Sequence, residues 1–231
     1  MKRFGFTLAE VLITLGIIGV ISALTLPALL NDTQGAQVGP RLGKAVAMFE
    51  QANQALLTEN NVDSISDGGF YTSANDINGV RAYAEELSNH LKITQYRGTS
   101  YPISDDSDVG AQRIQNNGAS WVSKDGVIYQ MVFWDLRPVG NVAPQNKVIG
   151  VVVIDLNGPA TPNLPGTDVF AFSWRNDGSL VPAGSFRWNL NDADPQWRNT
   201  CQNEQIPTNN RYYTCTASIF ENNMKVLYKM R

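Results

Sequence analysis

Glu10 is the only ionisable side chain between Phe6 and Leu30. Its neighbours are Leu, Ile, Val, Ala and Gly, with small hydroxyls at Thr14, Ser22 and Thr25. A carboxylate in lipid costs on the order of a few kcal/mol unless it lies near the interface or meets a cation. Glu10 therefore reads as a group that awaits a positive partner. Three other constellations carry chemistry by residue type. Asp155, Asn157, Asn163 and Asp168 supply hard oxygens of the kind calcium takes. Cys201 and Cys215 are the two thiols of the chain, and His90 is its one imidazole.

The oxygen set does not have EF-hand spacing, which puts its last acidic ligand at the twelfth position. The competing reading is a proline-rich connection, Asp155 to Asp168, whose Asp and Asn side chains cap turns. We prefer the turn reading, with Asp155, Asn157 and Asp168 kept as calcium ligands in the alternative; otherwise no cofactor is expected. His90 reads as a surface or half-buried helix residue beside an apolar stripe. With no second histidine, no nucleophile elbow and no phosphate loop, the sequence gives an enzyme little support. A paired-carboxylate mechanism is the one catalytic route it leaves open.

The element that positions Glu10 is the apolar run itself. At about 1.5 Å per residue, 20 to 25 helical residues cover roughly 30 to 37 Å, the depth of a hydrocarbon core. A short basic leader, Met1-Lys2-Arg3-Phe4, stops at Gly5. Lys2 and Arg3 predict a cytoplasmic N-terminus. The ordinary reading is a secretory signal peptide. Against it, the run is longer than an h-region, shows no obvious A-x-A-like cleavage site at its end, and has a charge inside it. A plain membrane anchor leaves Glu10 unexplained. Gly16, Gly19 and Pro27 fit close helix packing and a kink, since both residue types are commoner in membrane helices than in soluble ones.

Gly5-Phe6-Thr7-Leu8-Ala9-Glu10, continued by Val11-Leu12-Ile13-Thr14-Leu15-Gly16-Ile17-Ile18-Gly19-Val20-Ile21, closely resembles the N-terminus of type IV prepilins and type II secretion pseudopilins. The resemblance implies that prepilin peptidase cuts between Gly5 and Phe6 and N-methylates Phe6. It implies that Glu10 pairs with the terminal amine of a neighbouring subunit, and that the segment from Gly19 to Pro27 loses helicity on leaving the membrane. The implied partners are other pilins in a homo- or hetero-oligomeric filament and an inner-membrane assembly machinery. Physical reasoning agrees with the pairing. A terminal amine is mostly charged near neutral pH. Two ions buried among packed helices are tolerated only in the register that brings them together, so the pair checks register more than it adheres.

The chain of 231 residues leaves about 200 beyond the run, enough for one sizeable domain. Its net charge of −3 implies no general attraction to nucleic acid. The basic leader predicts that the C-terminal region lies outside the cytoplasm. There an isolated pair, Cys201 and Cys215, favours a disulfide worth about 3 kcal/mol in the loop-entropy picture. Two metal-bound thiols are the weaker alternative, since there is no C-x-x-C and His90 is distant in sequence.

From Arg41 a helical period returns, with Leu42, Ala45, Val46, Phe49, Ala52 and Leu56 on one face and a stop at Asn60-Asn61. Gly35, Gly39 and Pro40 predict a kink or short break before it. The spacing predicts a loop over 62–79, a short helix over 79–91, and polar irregular chain over 96–118, including Asp105-Asp106-Ser107-Asp108. Lys124-Asp125-Gly126 between Trp121-Val122 and the run 127–134 predicts a hairpin. Strands follow over 148–156 and 169–174, and Asn176-Asp177-Gly178 turns into 179–181. This gives a sheet of three or four antiparallel strands. Within 189–231, the run 215–226 reads either as two strands turning at Asn222-Asn223 or as a short helix. The expected fold is α+β and pilin-like: leader 1–5, membrane and assembly helix 6–30, amphipathic continuation 31–60, and a head over 61–231 with a disulfide-stapled C-terminal region.

The expected function is a structural subunit of a type IV pilus or a type II secretion pseudopilus, which the motif does not separate. It would be anchored by one pass in the inner membrane, with the head periplasmic or extracellular. The alternative is a scarce minor pilin whose head binds a surface, DNA or secreted cargo through exposed aromatics among Trp121, Trp174, Trp188 and Trp197. A packed core is expected to claim most of these.

Overall fold

A computed structural model describes residues 7–71, 76–97, 118–133, 148–158, 160, 166–182, 216 and 220. The chain begins with α1, Leu8–Glu59, followed by α2, Ile77–Ser88. Six strands follow: β1 Ile93–Arg97, β2 Ala119–Ser123, β3 Ile128–Phe133, β4 Val148–Asp155, β5 Val169–Arg175 and β6 Leu180–Pro182. They form one antiparallel meander in chain order. An apolar N-terminal helix followed by an antiparallel sheet is the α+β, pilin-like layout.

The expected kink or break over 35–40 is corrected in one respect. Helix α1 passes Gly35, Gly39 and Pro40 without a break in its 52 residues. Pro40 removes one backbone donor and Gly weakens a helix by about 1 kcal/mol. Against these stands the apolar face that α1 lays on the sheet, beginning at Val38 and Leu42 just beside them. Packing of one face outweighs local propensity in most protein helices. At the far end Asn60 caps the helix by donating its backbone N–H and Nδ2 to Leu56 O, and Asn61 turns away at φ +53°.

Among the described residues the sheet has six strands, two or three more than expected. Strand β1 falls across the gap between the expected helix, which ends at Leu91, and the irregular chain expected from Tyr96. Ile-Thr-Gln-Tyr-Arg is an edge strand, paired only with β2, and lacks the apolar density of β4. Helix α2 begins two residues earlier than expected because Asp76 caps it, accepting Gly79 N–H at 2.9 Å.

The core lies between one face of the sheet and the apolar sides of α1 and α2. Phe49 of α1 is its centre, stacked on Trp121 at 6.3 Å and on Tyr129 at 6.0 Å, and edge-on to Trp174 at 6.1 Å. Such ring pairs contribute about 0.5–1.5 kcal/mol each beyond their burial. Phe133 stacks on Trp174, and Tyr83 of α2 packs against the same indole. Trp121 and Trp174 are thus core residues, as expected. The opposite face, with Gln130, Val132, Val151, Val153, Ala171 and Ser173, is buried too. This explains why β3 and β4 read as continuous buried strands and not as alternating ones.

Polar contacts fix the axial position of α1 on the sheet. Tyr129 Oη donates to Ala45 O at 3.1 Å, Arg41 Nη2 to Leu156 O at 2.7 Å, and Gln54 Nε2 to Asp177 O at 2.7 Å. Leu180 N donates to Glu50 Oε1 at 2.8 Å. The turn at Gly178 seats directly on the helix: φ is +83°, and a Cβ there would stand 2.7 Å from Asn53 Cβ.

Candidate assembly site

Thr7 precedes the first turn of α1 in an extended conformation, φ −79° and ψ 152°. Its Oγ1 accepts Glu10 N–H at 3.3 Å. In return Glu10 Oε2 accepts the Thr7 backbone N–H and the Thr7 hydroxyl, both at 2.8 Å. This is a capping box, which satisfies donors that a helix start leaves open. It also holds the Glu10 carboxylate back over the N-terminal turn, where the aligned peptide dipoles favour negative charge. The sequence reading gave Thr7 no role, although Thr-x-x-Glu before an apolar run is the signal that finds such a box.

Beyond Glu10, Leu8–Thr25 is long and apolar enough to cross a membrane, with a mean hydropathy of 2.2 and none of it buried within the chain. Thr14 Oγ1 donates to Glu10 O and Val11 O, and Thr25 Oγ1 to Ile21 O, so these hydroxyls are returned to the helix backbone. Gly19 leaves a notch in this surface, with nothing within 4 Å of where a Cβ would stand. The helix runs through Pro27 without interruption. Gly5 and Phe6, where cleavage and methylation are expected, lie outside the described residues.

The other chemistry-bearing residues are not brought to this site. Asp155 ends β4, and its Oδ1 accepts Asn157 N–H at 3.1 Å and Gly158 N–H at 3.0 Å, which closes a turn. Burial first, and then the nearby Asp168 carboxylate, push the Asp155 carboxyl up to about 7. The geometry is that of the turn-capping reading. Among the described residues no three His, Cys, Asp or Glu side chains are grouped to hold a metal. Asn163 lies outside the described residues, as do Cys201, Cys215, Trp188 and Trp197. His90 stands just beyond α2, with Nε2 2.9 Å from Glu59 Oε2, tying the end of that helix to the end of α1.

Residues 1–26 match a family described as Prokaryotic N-terminal methylation motif. This is the prepilin-type motif, and it supports a type IV pilin or pseudopilin family for the chain. The match spans the leader, Glu10 and the membrane-length part of α1. Comparison with curated proteins and with solved structures gives no match. The motif's family is structural, not enzymatic, and its members assemble with other pilins after meeting a prepilin peptidase. An N-terminal apolar helix of this kind supports anchoring in a membrane.

Proposed function

We propose that the chain is a structural filament subunit, made as a membrane-anchored precursor and assembled through α1 into a type IV pilus or type II secretion pseudopilus. The observation that carries this reading is a single carboxylate, Glu10, held over the first turn of an apolar helix that nothing in its own chain covers. Prepilin peptidase cuts after Gly5, and the new Phe6 amine is methylated and stays protonatable. In the filament that amine meets Glu10 of a neighbour. The melting of the segment around Gly19 to Pro27 belongs to the same step, where Pro27 has already removed one helical hydrogen bond. The N-terminus is cytoplasmic and the head lies on the far side of the inner membrane. There Cys201 and Cys215 form a disulfide, checked by the mass of the linked peptide without reductant.

The minor-pilin alternative loses part of its support. Trp121 and Trp174, two of its four candidate contact residues, are buried in the core. The deciding experiment is expression in a host that makes such filaments. Wild-type chain should lose its five-residue leader and appear in sheared filaments as a major component. Gly5→Ala should keep the leader and stay in the membrane. Filaments of normal amount from Gly5→Ala would overturn the reading.

A further inference from the structure

We propose that the cleft between α1, the α2–β1 connection and the β2–β3 turn is a contact between copies of this chain, and that it takes carboxylates of a second copy. The inference rests on the filament reading above and adds to it a specific polar contact away from the apolar helices. The cleft encloses about 460 Å³, and its lining includes Lys44, Met48, His90, Lys92, Lys124 and Asp125. Lys44 is paired with Asp125 at 2.8 Å, and His90 with Glu59 at 2.9 Å. Lys92 and Lys124 have no ion pair among the described residues, and both are exposed. Their backbones are joined, Lys124 N donating to Lys92 O at 2.9 Å, and both residues line the same cleft. Leu91 and Ala52 give the cleft an apolar floor. Two neighbouring ammonium groups over an apolar floor repel each other and favour an anionic partner.

The partner follows from the course of α1. Lys44, Met48, Gln51 and Ala55 lie on the helix whose first half packs against other copies in the filament. That helix is continuous, so the flank bearing the cleft is carried into the same assembly. At about 1.5 Å per residue, Lys44 stands roughly 28 Å beyond Thr25, out of reach of lipid headgroups. The cations therefore lie clear of the membrane surface, on the flank that a second copy would meet. The chain has 21 carboxylate residues against 18 basic ones. Among the described residues, Glu85 and Glu86 of α2 are the adjacent exposed acidic pair, and we assign them as the counterpart.

The test uses the full-length chain in filaments assembled from a mixture of nitrogen-15-labelled and unlabelled copies. A carbodiimide reagent joins an ammonium group to a carboxylate only when the two are in contact. Peptides linking Lys92 or Lys124 of one isotopic copy to Glu85 or Glu86 of the other are expected. In parallel, Lys92→Glu with Lys124→Glu should lower filament yield about tenfold or more while leader removal proceeds, because like charges then meet. Adding Glu85→Lys and Glu86→Lys should restore the yield, which a loss of folding would not allow. Absence of mixed-isotope links at these lysines, or normal filaments from the charge-reversed chain, would overturn this inference alone. If wild-type chain makes no filaments at all, the parent reading fails and this one with it.

Discussion

The Tyr83 hydroxyl donates to Asn53 Oδ1 at 2.6 Å, and Asn53 in turn donates its Nδ2 to Phe49 O at 2.7 Å. Asn53 is fully buried on the face of α1 that meets the sheet, and Tyr83 is fully buried on α2. One polar side chain thus links both helices to the carbonyl of the residue at the centre of the aromatic core. Burial raises the Tyr83 phenol far above its ordinary range, so the hydroxyl stays a donor at any working pH.

Tyr83→Phe removes that donor and leaves a buried acceptor without it. An orphaned buried polar group costs about 1–3 kcal/mol. A cooperative thermal unfolding curve of the full chain in detergent should shift to lower temperature, by about 2–4 °C per kcal/mol lost. No shift would mean that the link contributes nothing net.

Gly126 and Gly178 both adopt φ +83° in two strand turns, but their surroundings differ. At Gly126 a Cβ would meet open space; at Gly178 it would press on Asn53 Cβ. Gly126→Ala should cost only the left-handed backbone penalty, about 1–2 kcal/mol. Gly178→Ala should cost more, because the turn must also lift from α1. Chemical unfolding of the two variants side by side checks the order, and equal losses would contradict the close seating.

The expected and observed elements diverge where tertiary contacts decide. Both strand turns built on Asp-Gly, at Asp125-Gly126 and Asp177-Gly178, were readable, since the glycine there takes a positive φ that few residues tolerate. The stripe Leu42, Ala45, Phe49, Ala52 and Leu56 was readable by period and is buried as a unit. Asn53 was not readable, because a polar residue on an apolar face shows its purpose only through Tyr83. Strand β1 was hidden because it earns its place by pairing along β2. The break expected around Pro40 weighed local chemistry alone, without the sheet that α1 rests on. Of the assembly site, Glu10 stood out as a lone charge, whereas its lock with Thr7 needed the geometry.

Glu10→Gln keeps an oxygen that can accept from Thr7 but removes the charge. It should preserve the helix start and lose filament assembly, as read by filament yield from sheared cells. Thr7→Ala removes the cap, a cost of about 0.5–2 kcal/mol to the helix, and should reduce assembly without abolishing it. Normal assembly by Glu10→Gln together with its loss in Thr7→Ala would mean that the cap and not the charge is what assembly requires.

Asp155 gives a pH signature. Its carboxyl lies near 7 in the folded chain against an ordinary value near 3.8. Between those values the folded state holds a proton that the unfolded state releases. Stability therefore falls as pH rises from about 4 to 7 and levels off above, by at most about 4 kcal/mol. Asp155→Asn keeps an acceptor for the turn and should remove this part of the slope in Tm against pH. Millimolar calcium should leave the wild-type Tm unchanged; a rise lost in Asp155→Asn would instead establish a cation at Asp155.

The uncovered half of α1 also says what kind of switch assembly is. On the filament reading, its Leu, Ile and Val side chains exchange lipid for neighbouring helices, one apolar solvent replaced by another. The hydrophobic effect then favours neither side strongly. What differs between the two settings is the charge at Glu10 and the polar contacts along the upper helix. On that reading a subunit enters or leaves a fibre by exchanging ionic partners, so the proposed filament is expected to grow reversibly.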